Sequence, residues 1–266
     1  MKSGVFMDYR WIITEAVGEI GVIRLNDEKS LNAMSPEMID ELIEALTEAA
    51  QSKRAILLSG VGRAFCSGVN LGSLNYTFDS NYDAGVLLET HFNPLMIKIR
   101  DLPIPLVTAV NGHAVGVGST VALAGDFIIA SKKAYFLQAF RHVGAAPDAG
   151  TAYLLTRSVG RVRAMEMMML GEKIYAEQAF NWGLINRVVA PEEIEGTALD
   201  ITRALASGPT KALGEIRRSC WYAMDADFTD QLTKDRVVQR ELGKAADHQE
   251  AIKAFFEKRP AVFTGK

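Results

Sequence analysis

Four carboxylates fall between residues 101 and 170, and their surroundings separate them. Asp101 stands at a helix end before Pro103, Asp126 opens a strand, and Glu166 lies within a helical run near Arg163. Asp148 is different, because Gly144-Ala145-Ala146-Pro147-Asp148-Ala149-Gly150 offers it no charged neighbour. Burial among such residues disfavours the ionised form and raises the pKa toward that of a usable general base. The second chemical feature is backbone. Gly116 and Gly118 bracket Val117, and glycines so spaced let a chain bend sharply and bring an N–H close to a ligand, as a donor to a developing oxyanion. Another glycine-rich turn, residues 60–71, also follows a strand.

Each of these residues has a plainer reading. An aspartate after proline and ahead of a helical run is an N-cap, a role compatible with catalysis. Gly116 and Gly118 suit a tightly packed helix start, and Val121 at the last glycine position breaks the dinucleotide fingerprint. Cys66 has no histidine near it in sequence and reads as a buried small apolar residue rather than a nucleophile. His91, His113 and His142 read as structural or solvated, the Met165-Met167-Met168-Met169 cluster as core, and Arg161 with Arg163 as a solvated face.

The elements that would position these groups alternate between strand and helix. Residues 12–15 and 20–25 form an opening hairpin across Val17-Gly18-Glu19, and a polar loop follows at 26–32. Ser35 as N-cap, Pro36 in the first helical position, and Ile39, Leu42, Ile43 and Leu46 on one face predict a helix. Residues 54–59 are a buried strand, 87–99 a helix stopped by 102–105, and 106–110 a second buried strand running into the Gly116 turn, a short helix and another strand. The polar, aperiodic stretch 72–83 reads as a lid, and residues 72–92 as the shapers of a pocket. Two helices, 151–159 and 163–170, come next, the second closed by Gly171, then a short helix at 177–182 and a strand at 184–189.

Beyond Pro191 every segment is helical: 191–206, 209–224, 228–245 and 248–257, the last with Ile252, Phe255 and Phe256 on one face. The order predicts an α/β chain with a parallel sheet layered by helices in residues 1–190, and a helical module in 191–266 whose leftover apolar faces suit subunit contacts. A net charge of −3 gives no electrostatic argument for nucleic acid, and 48% hydrophobic with 23% charged residues excludes wholesale disorder. Two cysteines fit a reducing compartment, and no Cys/His spacing resembles a metal site. Asp8 and Arg10 precede any apolar run that would serve as a signal, and no segment approaches the roughly eighteen apolar residues of a membrane span. A soluble, cytoplasmic protein is expected.

Five pieces, in order, carry a resemblance: Glu28-Lys29-Ser30-Leu31-Asn32-Ala33-Met34, Arg63-Ala64-Phe65-Cys66-Ser67-Gly68-Val69-Asn70-Leu71, Asn111 to Gly118, Trp182-Gly183-Leu184-Ile185, and Phe255 to Phe263. Together they resemble the crotonase superfamily, the enoyl-CoA hydratase/isomerase family, over nearly the whole chain. The resemblance implies a crotonase-like spiral of repeated β-β-α turns with a C-terminal helical module, assembled as a homotrimer or dimer of trimers. It implies an acyl-CoA substrate and no cofactor beyond that substrate's coenzyme A moiety. By match, the N–H groups of Val69 and Val117, in turns set by Gly68 and Gly116, would polarise the thioester carbonyl. The backbone of Ala64, Phe65 and Cys66 would contact the adenine, Lys29 would lie near the coenzyme's phosphates, and Phe255 and Lys258 would reach a neighbouring subunit's coenzyme.

The family's hydratases use two glutamates, and the matching positions here are Thr120 and Phe140, neither able to act as a base near neutral pH. Residues 139–150 look most like the isomerase branch, including the ring-epoxide isomerase of phenylacetate catabolism, in which an acid at the position of Asp148 moves the proton. The expected reaction is a shift of a double bond from Δ3 to Δ2 by an Asp148 shuttle. Three alternatives stay open. They are a hydratase in which Asp148 positions water, a dehalogenase-like nucleophilic role weakened by Phe140 and Asn93, and a silent acyl-CoA-binding subunit.

Overall fold

The computed structural model describes residues 9–73 and 82–266. The chain opens with the antiparallel hairpin β1 (Ile12–Val17) and β2 (Ile20–Leu25), followed by α1 (Pro36–Ser52). Ser35 caps α1 by accepting from the Met38 N–H, and Met38, Ile39, Leu42, Ala45, Leu46 and Ala49 form its buried stripe. Three turns of one pattern come next. The first has β3 (Ala55–Gly60), β4 (Ala64–Cys66), α2 (Gly85–Leu87) and, after a π turn, α3 (Asn93–Arg100). The second has β5 (Leu106–Val110), β6 (His113–Val115) and α4 (Val117–Leu123), and the third β7 (Phe127–Ser131), β8 (Tyr135–Leu137) and α5 (Thr151–Leu170).

The longer strand of each turn enters a six-stranded sheet ordered β1-β2-β3-β5-β7-β10, parallel from β2 onward. The shorter strand enters a four-stranded sheet ordered β4-β6-β8-β9, in which β4, β6 and β8 are parallel. The result is the β-β-α spiral that the motifs implied. At the corner between β5 and β6, a Cβ on Gly112 would stand 1.9 Å from the Arg63 carbonyl oxygen, so only glycine lets the turns stack there. The strand β9 (Ile174–Tyr175), helix α6 (Ala176–Asn181) and strand β10 (Arg187–Val189) close the spiral.

Two expectations need adjustment. The strand foreseen over 184–189 pairs only from Arg187. Leu184 and Ile185 are instead buried in the core behind α6, where the Leu184 N–H bonds to the Ala179 carbonyl. Among the C-terminal helices α7 (Ile194–Ala206), α8 (Thr210–Ala223), α9 (Phe228–Leu242) and α10 (Ala246–Glu257), the first packs on β3, β5 and β7. Ile194, Ala198 and Ala206 of α7 bury Ala55, Leu57, Val107, Ala109 and Ile129, while the alternate residues Ile56, Leu58, Leu106 and Val110 face the main core. The layer covering the sheet therefore continues past residue 190. The two helices expected at 151–159 and 163–170 are present as α5, broken at Gly160 (φ 77°, ψ 160°). Most of the stretch read as a lid, 74–81, lies outside the described residues. Among the described residues no helix is long and apolar enough to cross a membrane.

Candidate active site

Strands β4 and β6 pair in parallel, Ala64 with His113 and Cys66 with Ala114, so the turns that follow them emerge side by side at one end of the smaller sheet. In the first turn Gly68 takes φ 103°, its carbonyl accepts from the Met34 N–H (2.8 Å), and the Asn70 N–H donates to the Met34 carbonyl (2.9 Å). These bonds pin both sides of Val69, whose own N–H has no partner among the described residues. In the second turn Gly116 takes φ 52°, its N–H donates to the Leu137 carbonyl (2.8 Å), and Val117 begins α4. A residue in the first turn of a helix has no intrahelical acceptor, so the Val117 N–H is likewise unpaired among the described residues. Two unpaired N–H groups on adjoining, rigidly held turns are the makings of an oxyanion hole.

The two turns touch at Gly118, where an added Cβ would lie 2.6 Å from the Cys66 Sγ and 2.7 Å from the Cys66 carbonyl oxygen. Both obstacles belong to a buried strand and cannot swing away. Gly118→Ala is expected to displace the Val117 N–H and to lower kcat/KM about 10- to 100-fold, because donor geometry sets transition-state stabilisation. Steady-state kinetics on a variant with unchanged circular dichroism checks this, and undiminished turnover would remove Val117 from the site.

Asp148 sits in a bend made by Ala149 (φ 48°) and Gly150 (φ 81°) just ahead of α5. Its carbonyl accepts from both the N–H (2.8 Å) and the hydroxyl (2.7 Å) of Thr151. The Thr151 hydroxyl oxygen is in turn 2.5 Å from that of Thr120, which lies in the first turns of α4, three residues after Val117. The base candidate and an oxyanion donor are thus fastened to one another through α4 and α5. The plainer role for Asp148 is not the one observed, since Gly150 is the N-cap of α5 and no side chain caps it. Its Oδ1 is instead buried without a partner among the described residues, and desolvation pushes the carboxyl pKa up to about 6.

The other foreseen residues fall into three groups. Phe140, nearly fully buried in a 3-10 turn, and Thr120 leave both hydratase positions without a carboxylate. Ala64, Phe65 and Cys66 form β4 and are buried, so the adenine contact implied for them finds little surface there. Burial also pushes the Cys66 thiol up to about 12, out of use as a nucleophile. Lys29 is exposed on a 3-10 turn at a shallow recess shared with Arg10, Trp11, Asn26, Asp27 and Glu28. Phe255 and Lys258 are exposed at the end of α10. His142 accepts no catalytic duty, its Nε2 lying 2.8 Å from the Gly171 carbonyl beyond the end of α5. Thr151 is the site residue that the sequence did not reveal, and its only local signal is a hydroxyl at the first helical position after Pro-Asp-Ala-Gly.

The enoyl-CoA hydratase/isomerase family model matches residues 15–266. The chain belongs to that family. It is 39% identical over 259 residues to the 1,2-epoxyphenylacetyl-CoA isomerase of Escherichia coli K12, covering 96% of this chain and 99% of that protein. It is 32% identical to the mitochondrial enoyl-CoA hydratase of Pongo abelii, across 96% of this chain and 88% of that one. A solved enoyl-CoA hydratase from Polaromonas sp. JS666 superposes with a TM-score of 0.90 at 30% identity, over 95% of this chain and 99% of that one. Membership of the hydratase/isomerase family makes this an enzyme of that family, and an acyl-CoA substrate fits it. The relatives divide between isomerase and hydratase, so the choice between them rests on the side chains at the site.

Proposed function

We propose that the protein is an enoyl-CoA isomerase that moves a double bond from the β,γ to the α,β position of an acyl-CoA. The Asp148 carboxylate takes a proton from the α-carbon, and the electrons pass into a dienolate whose oxygen accepts from the Val69 and Val117 N–H groups. The carboxyl group then returns the same proton to the γ-carbon, so the product has the mass of the substrate and neither water nor a cofactor is consumed. The observation that carries this reading is a half-buried carboxylate whose Oδ1 has no partner among the described residues and whose pKa is raised to about 6, in a chain with Thr120 and Phe140 at the hydratase positions. A base is most effective when its pKa lies near the working pH, and one base that both removes and returns the proton needs no second carboxylate. Phe255 and Phe256, each more than three-quarters exposed, suit contacts between the subunits of an oligomer.

The deciding measurement is turnover of trans-3-hexenoyl-CoA and trans-2-hexenoyl-CoA with products identified by mass. The expected result is conversion of the 3-enoyl to the 2-enoyl thioester at constant mass. A product heavier by one water, formed from the 2-enoyl substrate, would make the enzyme a hydratase in which Asp148 positions water. Binding of both thioesters with no turnover would overturn the isomerase reading in favour of a silent subunit.

A further inference from the structure

We infer that Thr120 and Thr151 act together as positioning residues, a two-hydroxyl strut that fixes the base bend against the oxyanion turn. The inference rests on the proposed role of Asp148 as the base. Its geometry is a chain of two short hydrogen bonds. The Thr151 hydroxyl is 2.7 Å from the Asp148 carbonyl oxygen, and the Thr120 hydroxyl is 2.5 Å from the Thr151 hydroxyl. Among the described residues the other acceptor for the Thr120 hydroxyl is the Gly116 carbonyl at 3.4 Å. Each hydroxyl has one hydrogen, so the short contacts decide the direction: Thr120 donates to Thr151, and Thr151 donates to Asp148.

Both threonines are about 1% exposed, which removes water as a competing partner; losing Thr151 leaves the Thr120 hydroxyl only the long Gly116 contact, and losing Thr120 removes the donor to the Thr151 oxygen. The strut adds a polar tie between two segments that also share the apolar core, where Val117 and Val121 of α4 belong to the same buried cluster as Ala149, Leu154 and Leu155. On one side Ala149 and Gly150 both have positive φ, so the Asp148 bend is not a conformation that the local chain prefers. On the other side is α4, whose first residue supplies the Val117 N–H. Where the family's hydratases carry a glutamate that acts on water, this chain carries a hydroxyl that faces another hydroxyl and orders the backbone of a different acid. The substitution at position 120 therefore replaces a reacting group by a positioning one.

The experiment compares wild type with Thr120→Val, Thr120→Ser, Thr151→Val, the double variant Thr120→Val/Thr151→Val, and Asp148→Asn as the reference for loss of the base. Turnover of trans-3-hexenoyl-CoA and thermal unfolding are measured on each, with Thr120→Ala as the second hydroxyl-free variant should valine prevent folding. The strut predicts that Thr120→Val lowers kcat about 10- to 100-fold, the scale on which ångström misplacement of a reacting group is felt, with KM changed by no more than about twofold. Thr120→Ser, which keeps the hydroxyl, should return kcat to within about threefold of wild type, and the double variant should be no slower than the slower single variant. A packing role alone predicts the opposite pattern: lowered unfolding temperature, unchanged kcat, and no rescue by serine. Wild-type kcat in Thr120→Val beside an inactive Asp148→Asn would overturn the strut and leave the base standing. Wild-type turnover in Asp148→Asn would overturn the base and the strut with it.

Discussion

Asp148→Asn is expected to lower kcat by about two to four orders of magnitude, the usual range for a positioned acid–base group. Asparagine has the same shape and keeps the backbone carbonyl that Thr151 holds, so KM for the acyl-CoA should change little and the loss should appear in the chemical step. The wild-type profile of kcat/KM against pH should rise through about pH 6 and level off above it, because the group must be ionised to accept a proton and burial sets its pKa there. The asparagine variant has nothing to titrate in that range, and its residual rate should lack the acid limb. A wild-type profile that is flat between pH 5 and 7 would remove Asp148 from the rate-limiting proton transfer.

The same burial has a stability consequence of known sign. Asp148 has a folded-state pKa raised to about 6, above the value of about 3.9 for an unfolded aspartate, so between those values the folded state holds more protons. Ionising the half-buried carboxyl therefore costs folding free energy that is absent below about pH 4 and fully felt above about pH 6. Asp148→Asn should raise the unfolding temperature relative to wild type at pH 7.5, and the difference should close as the pH falls toward 4. A variant that is inactive and more stable is the signature of a functional carboxylate held in an unfavourable place. An inactive variant that is less stable at neutral pH would indicate a structural acid instead.

Parts of this arrangement were legible in the residues and parts were not, for physical reasons. The hairpin, α1 with its Ser35 cap, and the break in α5 at Gly160 follow from local rules of turn, cap and glycine, and the sequence carries them openly. Strands β4, β6 and β8 have three residues each, too few for alternation to show, so the smaller sheet that brings the two glycine turns together was legible only through the family motifs. The apolar run Ala55-Ile56-Leu57-Leu58 signalled burial on both faces of the main sheet, yet it did not say that α7, far along the chain, supplies the second cover. Asp148 stood out because its neighbours are small and uncharged. Thr151 did not, since its significance lies in a hydroxyl 31 positions away in sequence, and spacing of that kind carries no local pattern.

Arg217 is invisible in the same way, and its removal should give a large stability loss. Set in α8 with a side chain 2% exposed, it donates from Nε to the Asp126 carboxylate (2.8 Å) and from its two terminal nitrogens to the carbonyls of Ile99, Arg100 and Leu102 (the last at 3.1 Å). Those carbonyls belong to the last turn of α3 and the residues just after it, and Asp126, which also accepts from the Leu106 N–H (2.8 Å), fixes the start of β5 beside β7. One guanidinium therefore fastens the C-terminal helices to the helix and strands behind the active site. Arg217→Met would leave the largely buried Asp126 carboxylate without its cation and the Arg100 and Leu102 carbonyls without this donor, a change that typically costs about 3–5 kcal/mol, and Arg217→Lys should recover little because an ammonium cannot match a fork that serves four oxygens. Adding Asp126→Asn to Arg217→Met removes the uncompensated charge and should restore part of the loss. Urea unfolding reads this as a lower midpoint at unchanged slope, and a single variant within about 1 kcal/mol of wild type would show that α8 is held by its apolar face alone.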